Sequence, residues 1–147
     1  MRVCTEDSDP KLRNNDWEHR WRLPPLISMQ TVLVADDSRA VREYLASLLR
    51  QSDFAVIQAT NGKEAQQMIL ENHPDLVMTD VVMPEMNGYE LCRWIKQKSE
   101  CEAPVVFCSV KAEDFDLHWG KKQGCDAYIS KPFKPEIILQ TIKQLLV

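Results

Sequence analysis

LVMTDVVMPEMNG, residues 76 to 88, sets a carboxylate where an apolar run should continue. LVMT is short, apolar and uninterrupted, which reads as a strand buried on both faces. Asp80 closes that run, and two valines follow it directly. Burying a lone charged carboxylate costs on the order of several kcal/mol. Asp80 therefore stands at a rim, or a neighbouring group makes its charge tolerable. Pro84, Asn87 and Gly88 then turn the chain toward the next element.

The same alternation extends in both directions. TVLVA (31–35) is a β-branched strand, and Asp36-Asp37-Ser38 after it is a helix-start signal. Val41, Tyr44, Leu45, Leu48 and Leu49 fall on one helical stripe. FAVIQA (54–59) is the second strand. Asn61 caps a second helix whose inner face is Ala65, Met68 and Ile69, and Pro74 ends it. LVMT is the third strand, and Leu91, Cys92 and Ile95 face inward from the helix after it. PVVFCS (104–109) is the fourth strand. A helix over 112–123 carries Phe115 and Trp119, with Gly124 as its stop. AYIS (127–130) is the fifth strand, and a last helix bears Ile137, Ile138, Ile142 and Leu145.

Strands that alternate with single helices across short loops imply an α/β fold with a parallel sheet and right-handed crossovers. Five such units predict a flavodoxin-like (βα)5 doubly wound domain over residues 30–147. Ligands of such sheets bind beyond the carboxyl ends of the strands. Asp36 and Asp37, Asp80, Ser109 and Lys131 stand at the ends of strands one, three, four and five.

Three neighbouring carboxylates cannot all ionise unaided, because like charges push at least one pKa up. Lys131 supplies one positive charge. A divalent cation supplies two, and a cluster of hard oxygens suits Mg²⁺. Carboxylates with Mg²⁺, a lysine and a hydroxyl form a set suited to phosphoryl transfer, in which a carboxylate itself can be the nucleophile.

Composition narrows the alternatives. The chain has 147 residues, 44% hydrophobic and 27% charged, which leaves room for one domain and a short appendage. A net charge of −4 argues against a general nucleic-acid binder. No apolar run approaches the ~20 residues of a membrane span, and no secretory signal is visible. Five cysteines without a C-x-x-C pattern fit reduced cytoplasmic thiols, with Cys92 and Cys108 as small buried hydrophobes. Residues 1–29 read as an irregular tail in which Trp17, Trp21 and Leu23 could form a short amphipathic helix. Met29 could be the natural start, which would make the upstream part an extension.

Taken together, VLVADDS, DVVMPEMNGYE, FCS and YISKPF make the body of the chain resemble the receiver domains of two-component response regulators, the CheY-like proteins. The resemblance implies strand order 2-1-3-4-5. It implies Asp80 as phosphoacceptor, with Mg²⁺ held by Asp37, Asp80 and the Val82 backbone carbonyl and assisted by Asp36 through water. Ser109 and Lys131 would each engage a phosphoryl oxygen, and Lys131-Pro132 would be cis. Tyr128 would turn inward with Ser109 and reshape the face made by the fourth predicted helix, the fifth strand and the fifth helix.

WGKKQGCDAYISKPF (119–133) is most similar to pilus-motility and phototaxis regulators of the PilG/PilH kind. With no output domain after the last helix, the implied protein is a stand-alone receiver, monomer or weak dimer. A histidine kinase or phosphotransfer domain would be its donor and a motility protein its target. A phosphate sink or shuttle, and a receiver-like scaffold that is never phosphorylated, are the alternatives. Val82, Val110 and Lys111 stand at positions that vary in the family, so they leave the phosphate's lifetime open. A haloacid-dehalogenase-type phosphatase would need an acid where Val82 stands, and no G-x-G-x-x-G or P-loop pattern supports a nucleotide site.

Overall fold

A computed structural model describes residues 29–97, 100–110 and 124–146. The tail before Met29 and the helix expected over 112–123 lie outside the described residues. Five parallel strands form one sheet in the order β2-β1-β3-β4-β5. They are β1 (Thr31–Ala35), β2 (Ala55–Ala59), β3 (Leu76–Thr79), β4 (Val105–Ser109) and β5 (Ala127–Ser130). The described helices are α1 (Arg39–Gln51), α2 (Gly62–Asn72), α3 (Gly88–Gln97) and α4 (Pro135–Leu145).

Burial follows sheet position. The three central strands are buried almost throughout, whereas β2 and β5 at the edges are only half-buried. Successive side chains alternate between faces, so each central strand feeds two cores. Leu33, Val77, Val105 and Phe107 pack with Ala65 and Ile69 of α2 and Leu91, Cys92 and Ile95 of α3. Val32, Val34, Leu76, Met78 and Val106 pack on the other face with Leu45 and Leu49 of α1 and Ile138 and Ile142 of α4. The expected doubly wound arrangement is thus present, and all four strand pairings are parallel.

Several local expectations change. Tyr44 lies off the buried stripe of α1, is 43% exposed, and stacks on Phe133 at 6.2 Å between centroids. Ile137 is 44% exposed, because one residue along a helix is a rotation of about 100° away from Ile138. Helix α2 ends at Asn72 with His73 in a left-handed C-cap, one residue before Pro74. Cys92 and Cys108 are buried; burial pushes the Cys92 thiol up to about 12, and Cys108 upward as well, so neither is a thiolate at neutral pH.

Side-chain caps start two further helices. Asn61 accepts from the Glu64 N–H at 2.8 Å while Glu64 accepts from the Thr60 N–H at 2.6 Å. Asn87 and Glu90 cap each other directly, Asn87 accepting from the Glu90 N–H at 2.8 Å and Glu90 accepting from the Asn87 N–H at 3.0 Å. Gly62 then donates its N–H to the Met86 carbonyl at 3.1 Å, which ties α2 to the loop after β3. A Cβ at position 62 would lie 2.3 Å from that carbonyl oxygen. Asn61→Ala should cost about 1 kcal/mol in chemical denaturation. Gly62→Ala should cost more, roughly 1–3 kcal/mol, because the clash is with backbone. Equal costs would show that the loop simply yields.

Candidate functional site

The parallel register brings the carboxyl ends of β1, β3, β4 and β5 to one edge, and each end delivers a functional side chain. Asp36 follows β1 directly, with its N–H donating to the Ala59 carbonyl at 3.1 Å. It is only 2% exposed. Its Oδ1 accepts from the Ser38 N–H at 2.8 Å, and its Oδ2 accepts from Lys131 Nζ at 2.9 Å. Asp37 next to it is exposed. Ser38 caps α1 by accepting from the Val41 N–H.

Asp80 sits one residue beyond β3 rather than inside it. Its N–H donates to the Ala35 carbonyl at 2.9 Å, which extends the ladder by one rung. Its Oδ1 accepts from the Val81 N–H at 2.8 Å, and its Oδ2 lies 3.7 Å from Lys131 Nζ. Gly88 packs so closely that a Cβ there would stand 2.2 Å from the Asp80 carbonyl oxygen. The loop therefore folds back onto Asp80 only because position 88 has no side chain.

Lys131 stands between Asp36 and Asp80. Its N–H donates to the Ser109 carbonyl at 2.9 Å, which fastens the end of β5 to the end of β4. The Lys131-Pro132 peptide is cis. Ser109 is buried, opposite Ser130 in the sheet register. Val82 and Val110 are 64% and 72% exposed, so both β-branched side chains face solvent; Lys111 lies outside the described residues.

Asp36, Asp37 and Asp80 each offer a carboxylate oxygen within 4.8 Å of the others. Burial raises the Asp80 pKa above its ordinary 3.8, and the Asp36 charge adds to the rise; Lys131 and the Val81 N–H pull against it. Burial alone would lower the Lys131 pKa, but the hydrogen bond to Asp36 and the charges of Asp80 and Asp36 carry it upward. Three carboxylates against one ammonium leave excess negative charge. A hard divalent cation such as Mg²⁺ fits that donor set.

Tyr128 rests edge-on against Phe107 at 6.3 Å, and Phe107 against Tyr89 at 5.4 Å. Phe107 and Ser109 are two apart on β4 and share a face, so this aromatic row runs toward the site. Sequence reasoning missed the row, although the alternation in VVFCS and AYIS could have revealed it. It also missed Arg42, which donates from Nη1 to the Asp36 carbonyl at 2.7 Å.

An α/β domain with a carboxylate cluster and a lysine at the sheet's carboxyl edge matches the family described as the response regulator receiver domain over residues 32–143, and the chain belongs to that family. It is 34% identical to Protein PilH of Pseudomonas aeruginosa over 119 residues, 80% of this chain and 98% of that one. It is 37% identical to Protein PilG of the same organism over 113 residues, 76% and 84% of the two chains. Among solved structures, chemotaxis protein CheY4 of Vibrio cholerae superimposes with a TM-score of 0.76 at 28% identity, covering 80% of this chain and 99% of that one. The chain is thus a two-component receiver of the CheY, PilG and PilH type. That class implies a histidine kinase partner and a downstream effector. No helix among the described residues is long and apolar enough to cross a membrane.

The raised Asp80 pKa has a testable sign. An acid whose folded pKa exceeds its unfolded value holds its proton more tightly when folded, so stability is lost as pH rises through the folded pKa. Without divalent cation, Asp80→Asn should melt above the wild type at pH 7, and the gap should close toward pH 3.5. Saturating Mg²⁺ should stabilise the wild type more than the variant. A variant less stable than the wild type at pH 7 without Mg²⁺ would refute the account of burial and like charge acting on Asp80.

Proposed function

We propose that this receiver takes a phosphoryl group onto Asp80 from a histidine kinase or phosphotransfer domain and uses it to switch a protein-binding face. The observation that carries this reading is the Asp36–Asp37–Asp80 cluster with Lys131 between two of its members. An Asp80 carboxylate oxygen attacks the phosphorus. A P–O bond forms as the bond from phosphorus to the donor nitrogen or oxygen breaks, and the donor leaves with that electron pair. Bound Mg²⁺, held by Asp37, Asp80 and the Val82 carbonyl with help from Asp36, would neutralise the charge on the phosphoryl oxygens.

Lys131 is already drawn to Asp36 and Asp80, so a phosphoryl oxygen replaces one carboxylate as its partner. The Ser109 hydroxyl donates to a second phosphoryl oxygen. Phosphorylation adds about −1.5 to −2 charges, and that gain favours the conformer in which Ser109 and Lys131 close on the group. Tyr128, behind Ser109 through Phe107, carries the change to the surface around β5 and α4. Similarity to PilH and PilG over most of each chain supports a pilus or taxis motility partner. The receiver's only chemistry is then its own phosphorylation and dephosphorylation, in the cytoplasm, where such kinases act.

Incubation with Mg²⁺ and acetyl phosphate, read by intact mass, should give one added phosphoryl group, lost with Asp80→Asn. Lys131→Met should slow labelling roughly tenfold or more, since it removes a charged donor to the transferring group. Labelling that survives Asp80→Asn would remove Asp80 from its role.

A further inference from the structure

The acidic edge is held from outside by a residue that belongs to none of its roles. The peptide joining Asp36 to Asp37 presents its carbonyl oxygen to Arg42 Nη1 at 2.7 Å. Arg42 Nε donates to Gln58 Oε1 at 3.3 Å. One guanidinium thus links the end of β1, the first turns of α1 and the edge strand β2. Asp36 has further anchors: its N–H on Ala59, and its carboxylate on Ser38 and Lys131. Asp37 is exposed, so the plane of the peptide before it decides where its carboxylate points.

We propose that Arg42 is a positioning residue for the divalent-cation site: by fixing the Asp36–Asp37 peptide it keeps the Asp37 carboxylate beside Asp80. This rests on the reading of the cluster as a Mg²⁺ site. The sign of the effect separates positioning from plain electrostatics. A guanidinium charge beside a cation site repels the cation, so deleting that charge alone should tighten Mg²⁺ binding. Deleting the anchor should loosen it. A planar fork that reaches the carbonyl and Gln58 together is something a lysine reproduces only in part.

Calorimetric titration of the full chain with Mg²⁺ alone tests this. Arg42→Met keeps an apolar stem and should weaken Mg²⁺ binding roughly tenfold or more, the usual scale for residues that orient ligands. Arg42→Lys should recover part of the loss. Phosphoryl uptake should need more Mg²⁺ but reach nearly the wild-type rate at saturation. Unchanged or tighter Mg²⁺ binding by Arg42→Met would overturn the proposal, and so would a maximal rate that falls as far as the affinity does. If Arg42→Met does not fold, Gln58→Ala decides: it keeps the charge and should still weaken Mg²⁺ binding, and unchanged binding would overturn the proposal. A wild type that binds no Mg²⁺ would instead overturn the reading of the site itself.

Discussion

The pairing of Lys131 with Asp36 and Asp80 is the interaction on which the site's arrangement turns. An ammonium between two carboxylates, at 2.9 and 3.7 Å, is what lets the most buried acid of the cluster sit there at all. It also joins the two halves of the sheet. Lys131 comes from the end of β5, on the far edge, while Asp36 ends β1 and Asp80 follows β3. The pair closes across β4, where Ser109 takes the Lys131 N–H. Charge is still not balanced, and the Asp36 charge adds to burial in raising the Asp80 pKa. A site left short of positive charge attracts a divalent cation, and, once that cation is bound, a phosphoryl group.

The rest of the domain serves this edge by being stiff. Three central strands buried on both faces cannot slip register without moving every side chain to the wrong core. The loop after β3 is pressed back from two sides, by the Gly62 N–H on Met86 and by Gly88 against the Asp80 carbonyl. Neither contact touches a phosphoryl group, yet both define where Asp80 and Val82 stand. An aromatic row from Tyr89 through Phe107 to Tyr128 packs across β4 to β5.

Much of this edge was legible in the residues. Asp36, Asp37, Asp80, Ser109 and Lys131 could be named together because a parallel α/β sheet sends every strand's carboxyl end to the same side. Period alone could not tell that Tyr44 and Ile137 lie just outside their buried stripes, since a helical stripe has no sharp border. The Arg42–Gln58 anchor was invisible for another reason: it needs β2 beside β1, and strand order came from family resemblance rather than from pattern. The Gly62 contact left no sign either, because its partner Met86 is distant in the chain. Contacts made by strand order or by loops returning on themselves leave no periodic trace.

The central claim is that Asp80 is a half-buried acid under added like-charge pressure, relieved by a divalent cation. Carboxyl carbon NMR of Asp80, titrated with pH in the absence and presence of saturating Mg²⁺, tests it most directly. The account predicts a midpoint above the ordinary 3.8 without Mg²⁺ and a clear fall when Mg²⁺ is added. An ordinary midpoint that Mg²⁺ leaves unmoved would contradict it.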